Sequence, residues 1–270
     1  FPETLSSGAQ RELYTHQLRV FEESVVNGRD VVVTTGTGSG KTESFLLPIA
    51  AALIRESKTW PSPDARPPQW DWWNHWSMPG KRRKPAPRIT QRGHESRVPA
   101  VRALVLYPLN ALVEDQLARL RVGFDGTHAR AWLQAHRAGN RFYFGRYTGR
   151  SPVSGSISAS SVSRLRAELV EAHRDARLVA SSPSVARFFS AMDGGEMWSR
   201  WDMQSHPPDI LITNYSMLNI MLMRNVEAPI FEQTRQWLKA DPSHLFHLVI
   251  DELHTYRGTP GTEVAYLLRV

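Results

Sequence analysis

The sequence predicts an α/β domain with a mainly parallel sheet covered by helices on both faces. Short apolar, β-branched runs recur along the chain, and segments of helical periodicity separate several of them. At 270 residues the chain is also long enough to bury the core of one large domain with insertions.

In chain order, Leu18, Phe21 and Val25 recur at helical spacing, and Asn27-Gly28-Arg29-Asp30 then supplies turn chemistry. Residues 31–35 read as a strand. A glycine-rich loop follows, then a helix from 42 to about 55, in which Pro48 argues for a kink or an early end. Further strands are expected at 101–107, 141–147, 209–213 and 245–250. Two long segments interrupt this alternation. Residues 56–100 hold Trp60, Trp70, Trp72, Trp73 and Trp76, five of the nine tryptophans, and the basic run Lys81-Arg82-Arg83-Lys84. Residues 151–208 open with a serine-rich stretch read as a mobile loop, pass through a helix near 163–177, and contain Phe188, Phe189, Trp198 and Trp201. No repeat of fixed period is present.

Lys plus Arg number 33 against 26 for Asp plus Glu, a formal charge of +7. That balance suits a polyanionic partner, and it suits a solvated basic face equally well. Within the first insertion Lys81, Lys84, Arg88, Arg92 and Arg97 could add phosphate contacts, with tryptophans stacking on bases. The competing reading is an ordered lobe whose tryptophans form their own core. The absence of cysteine excludes a disulfide framework and a Cys-ligated metal site, and a reducing cytoplasm fits best. No run reaches the roughly 18 apolar residues of a membrane span, so no membrane partner is expected. The chain lacks an initiator Met and ends within a helical pattern, so it reads as a piece of a longer protein.

The chemistry begins at Thr35-Gly36-Thr37-Gly38-Ser39-Gly40-Lys41-Thr42, between an expected strand and an expected helix. Glycines let successive N–H groups turn inward, and the helix N-terminus adds positive potential where phosphates sit. Thr37, Gly38, Ser39 and Gly40 would form the cradle, Lys41 would reach the outer phosphates, and the Thr42 hydroxyl would ligate Mg2+. The strict phosphate-loop pattern has Gly where this chain has Thr35. Such a loop specifies only a nucleotide, since kinases, GTPases and motors share it. A second carboxylate site stands after the apolar run 245–250, as Asp251-Glu252-Leu253-His254. Asp251 would hold the metal and Glu252 would deprotonate an attacking water. The alternative is a solvated acidic turn.

These residues resemble the DEAD/DEAH-box group of superfamily 2 helicases, whose second motif reads Asp-Glu-x-His or Asp-Glu-x-Asp. Leu13-Tyr14-Thr15-His16-Gln17 is similar to that family's glutamine motif, which implies that the Gln17 amide reads adenine and that the nucleotide is ATP. Tyr107-Pro108-Leu109-Asn110-Ala111-Leu112, Gly145-Arg146-Tyr147-Thr148-Gly149 and Thr213-Asn214 with Leu218 resemble its segments that touch a nucleic-acid backbone. Pro108, Leu109, Asn110, Arg146, Thr148, Gly149, Thr213 and Asn214 are the implied contacts, with Asn110 where Arg is usual. Read alone, a Tyr-Thr-Gly turn or a Thr-Asn helix cap is plain architecture. The motifs nevertheless occur in the family's order.

The resemblance implies a RecA-like fold over residues 1–270, the first motor domain, with insertions at 56–100 and 151–208. It implies Lys41, Asp251, Glu252 and His254 in catalysis, ATP with Mg2+ as cofactors, and a second RecA-like domain in the full-length protein. Tyr107 to Gln116 and Asp251 to Gly258 look like a bacterial subgroup with a conserved C-terminal domain of unknown function, containing repair helicases and phage-defence motors. That subgroup implies single-stranded or duplex DNA as partner, RNA less so, and defence or repair proteins as further partners. A nucleotide-switched clamp that does not unwind would use the same residues. A kinase or GTPase is disfavoured by Gln17 and by the lack of a guanine-reading Asn-Lys-x-Asp sequence.

Overall fold

The computed structural model describes residues 12–36, 38–77, 84–108, 110–256, 261–262 and 265–266, without the side chains of 110 and 111. Thr37, Leu109, the Lys81-Arg82-Arg83 run and Arg257-Gly258 therefore lie outside the described residues. The chain divides into two units, Phe1–Thr59 and Trp60–Val270.

In the first unit, α1 (Thr15–Phe21) continues into a π-helical turn, Glu22–Val26. Gly28 then adopts a left-handed φ of 64°, which the turn requires and glycine accommodates without cost from a Cβ. Helix α2 (Lys41–Glu56) packs against α1 and buries Leu46, Ile49, Ala50 and Leu53, the i, i+3, i+4, i+7 stripe of an amphipathic helix. Pro48 neither ends nor interrupts it. A mid-helix proline costs about 3 kcal/mol, whereas burying Leu46, Ile49 and Leu53 contributes roughly 1.5–3 kcal/mol each, so packing overrides the local penalty. The strand expected at 31–35 is not formed. These residues pair with no strand among those described, and Val32 is 77% exposed. β-branched residues favour a strand only when a ladder and a covered face are available.

The second unit contains a two-residue hairpin, β1 (Trp76–Ser77) with β2 (Lys84–Pro85), and a four-stranded sheet. The sheet strands are β3 (Ala103–Tyr107), β4 (Phe144–Tyr147), β5 (Ile210–Asn214) and β6 (His247–Ile250), in the order β4-β5-β3-β6 and all parallel. Every residue of β3 is buried, as a strand covered on both faces must be. Leu104 and Leu106 join Leu211, Tyr147, Met203, Leu218, Met221 and Ile230 on one face, which brings in α7 (Arg200–Ser205), α8 (Tyr215–Met223) and α9 (Ala228–Ala240). On the other face α3 (Asn110–Asp125) packs against β3, β4 and β5, with Phe124 of α3 against Phe144 at 6.4 Å between ring centres. The α/β class with helices on both faces is thus observed directly. The remaining helices are α4 (Thr127–His136), α5 (Ala159–Val179) and α6 (Pro183–Ala186). Among the described residues no helix is long and apolar enough to cross a membrane.

The two insertions build one shared core rather than two independent lobes. Trp72 and Trp73 from the first pack with Leu165, Leu169, Met192, Trp198 and Trp201 from the second. Arg166 of α5 donates to the carbonyls of Trp72 (2.6 Å), Trp73 (2.9 Å) and Ala86, and Arg88 pairs with Asp202 at 2.6 Å. Arg97 makes two 2.8 Å bonds to the Asp209 carboxylate, which also accepts from Arg102 (2.9 Å) and from the Tyr143 N–H (2.7 Å). Arg92 is 1% exposed and donates to the Pro207 carbonyl. Arg88, Arg92 and Arg97 are therefore internal braces, which corrects their reading as phosphate contacts: a guanidinium buried in an ion pair cannot reach a solvent-borne strand. The serine-rich stretch is likewise ordered at both ends, where Ser151 Oγ donates to the Arg146 carbonyl (2.6 Å) and Ser158 caps α5.

Candidate functional site

The loop ahead of α2 has the backbone that phosphate binding needs. Gly38 and Gly40 take left-handed φ values of 75° and 77°, and Gly40 is the residue from which α2 starts, so Lys41 and Thr42 occupy its first turn. A Cβ on Gly36 or Gly38 would meet nothing within 4 Å, whereas one on Gly40 would lie 2.4 Å from Gln17 Nε2. Ser39 Oγ braces the loop from within, donating to Thr35 Oγ1 and the Gly36 carbonyl, both at 2.7 Å. Gln17, 4% exposed, donates to the Gly40 carbonyl at 2.9 Å and accepts from the Tyr14 N–H at 2.9 Å. Its amide thus ties the glutamine motif to the loop. Glycines with open space on one side and a helix N-terminus behind them fit a nucleotide's phosphates.

In the second unit, Asp251 follows β6 at the carboxyl edge of the sheet, where ligands of open α/β sheets gather. Its N–H still donates to the Leu106 carbonyl at 3.0 Å, so the ladder reaches it. Glu252 has a left-handed φ of 50°, a conformation that costs a non-glycine residue about 1–3 kcal/mol. Local bonds offset this: its N–H donates to Asp251 Oδ1 (2.8 Å) and its carbonyl accepts from the Thr255 N–H and hydroxyl (2.8 Å each). His254 Nδ1 stands 3.3 Å from Glu252 Oε2. The result is a tight turn that presents two adjacent carboxylates, a donor set that suits a hard divalent cation.

Beside Asp251 lies a group that motif reading passed over. Tyr107 ends β3, is 1% exposed, and its hydroxyl finds no hydrogen-bond partner among the described residues. Burial, and then the Asp251 charge, pushes its ionisation far above the usual tyrosine range. Tyr256 behaves in the same way, with a buried unpartnered hydroxyl raised by burial and by Asp251.

The residues expected on a nucleic-acid strand fall into two groups. Gly149 is exposed with open space around it, and Arg146, 27% exposed at its side chain, pairs with Glu114 of α3. Asn214 caps α8, accepting from the Met217 N–H at 2.8 Å. Thr148 and Thr213 are buried. The Thr213 hydroxyl donates to the Tyr147 carbonyl (2.7 Å) and so ties β5 to β4, and the Thr148 carbonyl accepts from Arg200 of α7 (2.5 Å). Gly145 is also architectural, since a Cβ there would sit 2.8 Å from Met203 Sδ. Pro108 is half-buried and Asn110 opens α3, so these two flank the strand end that carries Tyr107.

A strand-end acidic turn and a glycine loop at a helix start are features of phosphate-loop proteins, and comparison with known families agrees. Residues 14–141 match the model of the DEAD/DEAH box helicase family, a stretch that includes Gln17, the glycine loop and Pro108. The chain is similar to Druantia protein DruE of Escherichia coli (strain UMEA 4076-1), 34% identical over 309 aligned positions covering 98% of this chain. It spans 15% of that relative's length. Among solved structures, the DUF1998 helicase MrfA bound to DNA and AMPPNP aligns with a TM-score of 0.47 and 22% identity, over 100% of this chain and 24% of that one.

Proposed function

We propose that this chain is the ATP-binding part of a DNA helicase or translocase that couples ATP hydrolysis to movement on DNA. The observation that supports it most is the left-handed Gly40 at the head of α2, bonded through its carbonyl to Gln17, with Lys41 and Thr42 following. That arrangement presents N–H groups, a cation and a hydroxyl to a triphosphate. Bound Mg2+ and ATP would supply the phosphoanhydride and neutralise its charge. Lys41 would contact the outer phosphates, Thr42 and Asp251 would hold the cation, and Glu252 would take the proton of the attacking water. The 3.3 Å His254 contact would keep the Glu252 carboxylate oriented for that transfer. Arg146, Gly149, Asn110 and Asn214 would meet the DNA backbone, which positions a strand without reading its sequence. A second RecA-like domain of the longer protein would complete the site with arginines, and the resemblance to repair and defence motors supports partners drawn from those processes.

The test is the ATPase rate of the full-length protein with single-stranded DNA, duplex DNA, RNA or none, beside Glu252→Gln. Stimulation by DNA that vanishes in Glu252→Gln is the expected outcome. An equal rate in wild type and variant would remove the assignment of Glu252. A hydrolase indifferent to every nucleic acid would replace the motor with a nucleotide-switched module.

A further inference from the structure

The turn that follows β4 carries a backbone donor whose direction is set from inside the fold. Gly149 is its exposed apex, with open space where a Cβ would stand. The Thr148 carbonyl behind it accepts from Arg200 Nη2 at 2.5 Å and from the Ser151 N–H at 3.0 Å. Arg200 begins α7 and is 6% exposed, and Thr148 and Ser151 are buried, so this carbonyl points inward. The peptide joining Thr148 to Gly149 is trans. A trans peptide is planar, with its C=O and the following N–H in opposite directions, so the Gly149 N–H is turned outward. The Ser151 hydroxyl holds the same turn from its other end, accepting from the Thr148 N–H at 3.0 Å and donating to the Arg146 carbonyl at 2.6 Å. The Arg150 N–H is taken by Thr148 Oγ1 at 3.3 Å.

A guanidinium is a costly brace here. Arg200 forms no ion pair among the described residues; its charge is spent on the Thr148 carbonyl and on the face of Tyr147, 5.4 Å from the ring centre. Burying a cation is unfavourable unless strong bonds compensate it, and a charge-assisted bond fixes its acceptor more firmly than a neutral one. The backbone of Arg200 also donates to the Pro152 carbonyl at 3.2 Å, so α7 grips both ends of the turn. That helix is anchored in the inserted lobe through Trp201, which packs with Trp72 and Trp73, and through Asp202, paired with Arg88. We infer that Arg200 and Ser151 are positioning residues that aim the Gly149 N–H outward as a donor to a phosphate of a bound DNA strand. The inserted lobe thereby sets the geometry of a strand contact that it does not itself make.

The inference rests on the DNA-binding reading above, and the test separates the two. A labelled single-stranded oligonucleotide is titrated with the full-length protein at several salt concentrations, counting folded protein only, and binding of a fluorescent ATP analogue is measured alongside. Arg200→Met, which keeps bulk but removes the donors, and Ser151→Ala are each expected to weaken DNA binding about 5–10-fold, with nucleotide affinity unchanged. The loss should be the same at every salt concentration, because a neutral N–H displaces no counterion. Arg146→Ala, in contrast, should flatten the plot of log affinity against log salt by about 0.7. The double variant should lose less than the product of the single losses, since both act on one peptide. Unchanged DNA affinity in both single variants overturns the inference. So does an equal loss of DNA and nucleotide affinity, which general damage to the fold would give. A flattened salt plot in Arg200→Met would show that a charge, not the Gly149 N–H, had been lost, and overturns it too. A wild-type protein that binds no DNA removes the DNA reading itself, and this inference with it.

Discussion

The carboxyl edge of the sheet and the lobe built by the two insertions are both rich in charge, yet they use it oppositely. In the lobe, Arg88, Arg92, Arg97 and Arg166 are consumed by Asp202, Glu95, Asp209 and backbone carbonyls, and tryptophans fill the space between. At the sheet edge, His254 is exposed, Glu252 is half-buried in a left-handed turn, and two tyrosine hydroxyls await partners. A desolvated cation is stable only when paired, so burial turns a basic segment into scaffold. Positive composition marks a nucleic-acid surface only where the charges stay in water.

If the edge is catalytic and the lobe structural, variants in the two regions should fail in different assays. The largest effect belongs to the edge. Glu252→Gln is expected to slow hydrolysis about 10²–10⁴-fold while a fluorescent nucleotide still binds, and Lys41→Ala to lose both. Arg97→Ala in the lobe should cost about 3 kcal/mol in denaturant unfolding, because Asp209 keeps only part of its compensation. The salt dependence of DNA binding by its folded fraction should not change.

A smaller effect comes from Asp125 at the end of α3, whose carboxylate accepts the Gly195 N–H at 2.8 and 2.9 Å. Burial raises its pKa to about 6 despite Arg130 and that N–H. The folded state therefore binds a proton more tightly than the unfolded chain, so this group's contribution falls as pH rises from about 4 to about 6. Melting curves should show up to about 3 kcal/mol of this dependence, flattened in Asp125→Asn. The smallest contrast lies within one turn. Gly145→Ala should destabilise by about 1–2 kcal/mol through its clash with Met203 and Met197, whereas Gly149→Ala should stay within about 0.5 kcal/mol. Equal effects would show that the edge is packed like the lobe.

Periodicity and strand-like runs located α1, α2, α5 and all four strands of the parallel sheet; α2 and β3 bury the stripe or run that the pattern reports, whereas Leu18 of α1 is 53% exposed and β6 is only partly covered. The glycine loop and the Asp251-Glu252 turn were legible for a different reason: their chemistry requires particular residues at fixed spacing. Residues 31–35 carried a strand's propensity without a strand's partner, and propensity alone does not hold a strand. Tyr107 stood inside a motif without attracting notice, since nothing local shows that β6 will bring Asp251 beside it. The same holds for Asp209, a single acid before an apolar run, which joins Arg97, Arg102 and the start of β4. The sequence by itself determined the α/β class, the loop and the acidic turn, whose physics is contained in a few neighbouring residues. Only the tertiary structure decided which arginines are scaffold, which threonines are buried and which strand ends beside Asp251. Burial and pairing join residues far apart in the chain, 112 positions in the case of Arg97 and Asp209, and local pattern carries no record of them.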